Sequence, residues 1–384
     1  MSSRALFGLE RVWLAADRTG PPFVNQLVVE LDGVVERDAL QAAVDQVLPA
    51  WPAARARLSG AVGWARWSDD GAAPRVVGPE PITLDRGPAP YELSRLNHHS
   101  GPIVEWVFGP RPGGGTVLVL RTHHAVFDGR AAWALAEDLG AALRGEAPRE
   151  VRFHGVMEPP GGAAQAAPAA DAPLPTGASS GVEGASWARL SLSTPGPGVL
   201  ARVLVALSAA ANAGALLFSI PVDLRGRLSE SERRAAANLT GFVRLSVAPD
   251  GDVSVVQDAL RRATIGTEPL NALRTGDTVR WVPLWLMESV ARGGAATAAA
   301  TGRTTASGAV SNLGRLDAGV FDHADCRGRA CFWIPPTNPG TPMFVTLTGH
   351  AAGLELVVGM PNAYGDGGRL EGFLARVGEE MAQP

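Results

Sequence analysis

From about Glu158 to Ser186 the chain runs through Pro159-Pro160-Gly161-Gly162, Pro168, Pro173, Pro175 and Ser179-Ser180-Gly181 with almost no apolar periodicity. Such a stretch buries too little apolar surface to offset the entropy of ordering it. It reads as a linker or a long crossing loop. It breaks the chain into halves of roughly 155 and 200 residues, each an ordinary domain size. The expected division is residues 1–157, a linker over 158–186, and residues 187–384. There is no repeat of fixed short period.

Both halves mix strand and helix patterns. In the first, Gln26 to Leu31 alternates as a strand, and Asp38 to Leu48 places Leu40, Ala43, Val44, Val47 and Leu48 on one helical face. Thr116 to Leu120 is a compact buried-strand run. Ala131 to Leu143 repeats Leu135, Leu139 and Leu143 at helix spacing. In the second half, strands are predicted at 215–220, 244–247, 343–347 and 354–358, and helices at 254–263 and 370–381. The class is α/β or α+β in two lobes.

Composition narrows the function. Apolar residues make up 46% and charged residues 19%, the balance of an ordinary globular protein. A net charge of −4 offers no electrostatic footprint for nucleic acid. All 34 basic residues are arginine. The lack of lysine excludes a Schiff-base lysine, a pyridoxal-phosphate lysine and a Walker-type phosphate loop. Two cysteines, Cys326 and Cys331, make no disulfide framework. With no signal-like apolar core after Met1-Ser2-Ser3-Arg4, the expected compartment is the cytoplasm. Val203 to Val222 carries no charge for 20 residues, the length of a membrane span. Asn212, Gly214 and Pro221 interrupt it, so it reads as a helix followed by a strand, with no integral membrane contact.

The segment that carries chemistry is His123-His124-Ala125-Val126-Phe127-Asp128-Gly129. A strand runs into the two histidines and a helix starts just after Gly129. That puts the pair at the C-terminal end of a strand, where open α/β sheets place their sites. Asp128 falls at a helix N-cap, and Gly129 permits a tight turn or a close approach. Adjacent side chains on extended backbone point to opposite sides, so one imidazole faces a cleft while the other packs or orients. An imidazole in a cleft is a natural general base.

His123-His124-x-x-x-Asp128-Gly129 resembles the HHxxxDG motif of the condensation-domain and chloramphenicol-acetyltransferase-like acyltransferase superfamily. Further stretches, in the family's order, resemble it too: Leu48 to Arg55, Gly101-Pro102-Ile103, Pro221-Val222-Asp223-Leu224-Arg225 with Asn238-Leu239-Thr240-Gly241, and Ser311-Asn312-Leu313-Gly314. The chain looks like a stand-alone member, similar to polyketide-associated and alcohol acyltransferases; the DFGWG motif of the plant branch is missing. The resemblance implies two chloramphenicol-acetyltransferase-like lobes in a V, with a central channel reaching His124 from both faces. It implies transfer of an acyl group from a thioester to a hydroxyl or amine. The co-substrate is coenzyme A or the phosphopantetheine arm of an acyl-carrier protein, and no cofactor is held permanently.

By the match, His124 is the general base, His123 supports the loop, and Asp128 is structural, paired with an arginine. Arg55, Arg225 and Arg315 all lie in segments able to supply that partner. Ser311 and Asn312 are candidate donors near the reacting carbonyl, although a plain turn between strands reads equally well. Trp285, with Trp281, Leu284, Leu286 and Met287, is a candidate lining of an acyl or acceptor pocket; core packing explains it equally well. Two other roles stay open at this fold: a catalytically silent module that binds carrier domains, and another reaction at the same site, such as epimerisation, cyclisation, dehydration or thioester hydrolysis.

Other patterns carry less. His98-His99 has Ile103 and Val104 where the aspartate and glycine belong, and reads as a loop before a strand. Gly177-Ala178-Ser179-Ser180-Gly181 fits G-x-S-x-G but lies in the proline-rich stretch, without the strand and helix that motif needs. His323, Cys326 and Cys331 match no zinc spacing, so no metal is expected. No G-x-G-x-x-G cluster follows a strand.

Overall fold

A computed structural model of the chain describes residues 2–80, 82–88, 95–151, 153, 171–193, 196–211, 213–227, 234–351 and 353–383. Residues 158–170 of the proline-rich stretch lie outside them. Of the remainder, Ala172–Pro173 pairs with Arg303–Thr304, and Ala185 and Ser186 already open a strand.

The strands of the two main sheets are β1 (Val24–Asp32), β2 (Arg75–Val77), β3 (Arg86–Pro88), β4 (Val104–Pro110), β5 (Thr116–His123), β6 (Ala185–Leu192), β7 (Leu216–Asp223), β8 (Thr240–Val247), β9 (Gly308–Arg315), β10 (Arg327–Ile334), β11 (Phe344–His350) and β12 (Gly353–Pro361). The helices longer than four residues are α1 (Gly8–Thr19), α2 (Arg37–Val47), α3 (Gly129–Leu143), α4 (Val199–Ala210), α5 (Val253–Ile265), α6 (Glu268–Thr278), α7 (Leu284–Thr301) and α8 (Arg369–Ala382) among the described residues. The charge-free run from Val203 thus divides into the end of α4 and the strand β7. No helix among the described residues is long and apolar enough to cross a membrane.

One sheet has five strands in the order β10-β1-β5-β4-β2, and the other has seven in the order β8-β7-β9-β11-β12-β6-β3. Each half of the chain lends a strand to the other's sheet. β10, from the second half, pairs antiparallel with β1, and β3, from the first half, pairs antiparallel with β6. The two units met in sequence are therefore laced together by backbone hydrogen bonds.

Packing follows the patterns. β5 is buried at every position, as a central strand covered on both faces must be. Leu40, Ala43, Val44 and Val47 of α2 and Leu135, Ala136 and Leu139 of α3 join one apolar core with Leu118 and Leu120 of β5. A second core joins α4 and α8 to the seven-stranded sheet through Leu204, Leu207, Phe373 and Val377. A third, smaller cluster lies where the sheets meet: Val28, Val107, Val119, Phe332 and Ile334 of one against Trp187 and Val357 of the other.

A polar pin crosses the same junction. Arg189 on β6 donates to Glu355 on β12 at 2.7 Å and to Glu30 on β1 at 2.8 Å, and its guanidinium lies 4.0 Å from the ring centroid of Phe332 on β10. All of these groups are buried or nearly so. Removing one partner of a buried pair leaves the others unpaired, which costs about 3–5 kcal/mol. Arg189→Met is therefore expected to lower the free energy of unfolding by about 3 kcal/mol or more in urea titration. A loss below about 1 kcal/mol, the worth of a surface pair, would show that the junction rests on its apolar contacts alone.

Candidate active site

The site begins where β5 ends. The strand is held on both sides at that point, His123 N donating to Ile103 O at 3.0 Å and His124 N to Phe23 O at 3.3 Å. The chain then turns: the amides of Val126 and Phe127 both donate to His123 O, and Asn25 Nδ2 donates to Phe127 O at 2.6 Å. Asp128 caps α3, its Oδ1 accepting from Ala131 N at 2.8 Å. Gly129 brings the turn close to β9. A Cβ there would come within 2.7 Å of the Leu313 side chain of β9.

The two histidines diverge. His123 is fully buried behind the turn, and Ala125 N donates to its Nδ1 at 3.2 Å. Burial pushes its imidazole down to about 3. His124 faces the opposite way, into a cavity of about 210 Å³. The cavity lies between the two sheets. α1 contributes Trp13 to its wall, β1 Asn25, β8 Thr240, Phe242 and Arg244, β9 Ser311, β10 Trp333 and β11 Thr346.

Within it the His124 ring is sandwiched. Its centroid lies 5.1 Å from that of Trp13 and 5.3 Å from that of Phe23, with interplanar angles of 27° and 15°. Asn238 Nδ2 donates to His124 O at 2.8 Å and sits 3.3 Å from Nδ1. Burial lowers the imidazole's pKa, against hydrogen bonds to the His124 and Phe127 carbonyls and the nearby Asp128 charge, which raise it. The neutral ring, with a lone pair, is the form a general base requires.

Asp128 is clamped rather than free. Its Oδ2 accepts from Arg225 Nη1 at 2.7 Å and from Leu239 N at 2.8 Å. Arg225 also donates to Asp223, Ala235 O and Ala237 O. Burial disfavours its charge, but the ion pairs with Asp128 and Asp223 outweigh that and raise its pKa. Of the three arginines read as partners, the structure selects Arg225. Arg55 is exposed and donates to Gly71 O, and Arg315 is exposed at the end of β9.

Two other expectations need correcting. Ser311 lines the cavity, but the next residue on the strand, Asn312, points to the other face and is exposed, its Oδ1 accepting from Gly314 N at 3.0 Å. Trp285 is 65% exposed on the outer side of α7 and does not line the cavity. His323, Cys326 and Cys331 do not gather into a metal-ligand set among the described residues. Ser179 and Ser180 lie in a loop that leads to the strand β6, with no helix directly after them.

Sequence reasoning passed over Trp13, Phe23 and Asn238 as site residues. Asn238 stood inside a quoted motif; the aromatic pair carried no local signal, since only the fold brings it to the imidazole.

The Asp128–Arg225 clamp generates a prediction. Asp128→Ala and Arg225→Ala should each cost about 3–5 kcal/mol, because each strands a buried charge. The double variant should cost less than the sum, with a coupling of about 1–3 kcal/mol in a double-mutant cycle. Additivity within about 0.5 kcal/mol would mean that the two groups do not depend on one another.

No family model and no curated protein matches the sequence. Solved structures do match the fold. The first condensation domain of the calcium-dependent antibiotic synthetase, solved with a substrate analogue, is 16% identical with a TM-score of 0.64, covering 99% of this chain and 96% of that one. The starter condensation domain of rhizomide synthetase, solved as a variant with C8-CoA, is 14% identical with a TM-score of 0.60, covering 100% and 95%. The epimerization domain from the third module of tyrocidine synthetase B is 14% identical with a TM-score of 0.61, covering 99% and 95%. From end to end, this chain has the two-lobed, chloramphenicol-acetyltransferase-like fold of the condensation domains.

Proposed function

We propose that the protein is an acyltransferase that moves an acyl group from a thioester to a hydroxyl or amine, with His124 as general base. The observation that carries this reading is a neutral imidazole, stacked between Trp13 and Phe23, presented to a cavity between the two lobes. The donor is acyl-coenzyme A or an acylated carrier protein, and the acceptor is a small molecule. The starter condensation domain solved with C8-CoA is consistent with a coenzyme A thioester as donor.

His124 takes the proton from the acceptor's O–H or N–H as that atom attacks the thioester carbonyl carbon. The C=O π pair moves onto oxygen, giving a tetrahedral oxyanion. The oxyanion collapses, the C–S bond breaks, and the thiol leaves with the proton held by the imidazolium. No covalent enzyme intermediate is needed. Ser311, on the cavity wall, is the candidate hydrogen-bond donor to the oxyanion. Small-molecule sites commonly run about 300–1,000 Å³. A cavity of about 210 Å³ suits the reacting ends of two substrates more than either whole. Arg244 is the cationic group of its lining among the described residues, and supplies a partner for an anionic group on either substrate.

The test is a mass spectrum of the purified protein incubated with acyl-thioesters, with and without alcohols and amines. Acylated product that appears only with an acceptor supports transfer. Free acid formed at full rate without an acceptor points to hydrolysis, and binding without turnover to a silent module. His124→Ala should lose at least about 100-fold in rate, within the range general bases supply, while circular dichroism stays unchanged. Near-full activity in that variant would remove the general-base role.

A further inference from the structure

Behind the catalytic turn, on the side of β5 away from the cavity, lies a second group of titratable side chains: Asp17, His98 and His123. They come from three separate segments: the last turn of α1, the turn before β4, and the end of β5. All three are buried, at 3%, 7% and 0% exposure, and one ligand-type atom from each lies within 4.8 Å of the others. The rings of His98 and His123 cross at 82° with centroids 5.2 Å apart. Neither ring nitrogen of His98, nor Nε2 of His123, has a hydrogen-bond partner among the described residues. A buried polar atom left so costs about 1–3 kcal/mol, and nothing in the transfer chemistry uses these.

Hydrogen-bond bookkeeping identifies what the cluster takes. Ala125 N–H donates to His123 Nδ1, so in the neutral ring the proton sits on Nε2, which is a donor and not a metal ligand. Asp17 is an acceptor, one of whose oxygens already receives Phe23 N–H at 2.7 Å. His98 is held neutral, pushed down to about 3 by burial and next by the neighbouring His123, and so offers a lone pair.

We propose that Asp17, His98 and His123 close around one buried water, which accepts from His123 Nε2–H and donates to Asp17 and His98, and that Asp17 and His98 are thereby positioning residues for His124. Three partners are the usual number for a buried water. Asp17 holds the site in three ways. Its helix carries Trp13, one face of the His124 sandwich; its carboxylate fixes the amide of Phe23, the other face; and the same carboxylate faces His123, the residue before His124. The positioning role rests on the acyl-transfer reading; the water cluster itself does not.

Two measurements test this. In ¹⁵N NMR of the free wild-type protein, His123 should show a protonated Nε2 and an unprotonated Nδ1, and metal analysis should find no stoichiometric zinc. A protonated Nδ1, or one tightly bound zinc per chain lost in His98→Phe, overturns the water cluster whatever the reaction is. In steady-state kinetics, Asp17→Asn keeps the acceptor for Phe23 N–H but turns a donor toward the water, and His98→Phe keeps bulk without nitrogens. Each should lower kcat by about 10- to 100-fold, the cost of a small misplacement, with KM within about twofold and the His123 tautomer signal altered. Folded variants with unchanged kcat overturn the positioning role. Should a variant fail to fold, the wild-type spectrum still decides the cluster.

Discussion

The turn that carries His124 is fastened to the opposite lobe through one buried carboxylate. Asp128 spends one oxygen on the N-terminus of α3 and the other on Arg225 and Leu239 N. The first bond starts the helix that packs the five-stranded sheet. The others tie that helix to the connection between β7 and β8 of the seven-stranded sheet. Breaking a buried pair by removing one member costs about 3–5 kcal/mol, against a total stability of about 5–15 kcal/mol for a typical domain. The pair is a condition of the fold as much as of the site, and three hydrogen bonds commit this carboxylate to holding the turn.

With the turn fixed, strand alternation assigns the two histidines. The residue that ends β5 goes behind the sheet, and the next goes in front. Their environments then differ for physical reasons. His123 meets buried Asp17 and His98, while His124 meets two aromatic rings and a cavity. The flat faces of Trp13 and Phe23 leave the ring edge to the cavity and hold the imidazole neutral by desolvation. Two identical side chains, one peptide bond apart, are in this way given different chemistry.

Much of this could be read from the sequence because the carriers are local. The strand–His-His–turn–Asp-Gly–helix order needs only periodicity and capping, and α2, α3, α4, α5 and α8 all fall within a few residues of where apolar spacing puts them. Asn312 and Trp285 failed for a single reason: a motif names a neighbourhood, but the face a side chain takes is set by the strand's alternation or the helix's packed side. The choice of Arg225 over Arg55 and Arg315, the exchange of β3 and β10 between sheets, and the meeting of Asp17 with His98 all depend on contacts between residues far apart in the chain. No window on the sequence contains both partners. His98-His99 shows the point from the other side, since as a motif it fails, yet His98 is buried against His123.

The connection between β7 and β8 reaches the turn at three places: Arg225 on the Asp128 carboxylate, Leu239 N on the same carboxylate, and Asn238 on the His124 carbonyl. All three cross from the seven-stranded sheet to a turn that belongs to the five-stranded one. The cavity wall is divided in the same way, with Trp13, Asn25 and Trp333 on one side and Thr240, Phe242 and Ser311 on the other. A lobe movement that widened the cavity would have to lengthen these bonds, and so would displace the turn that carries His124. Arg189 and the exchanged strands oppose such a movement at the far end of the junction.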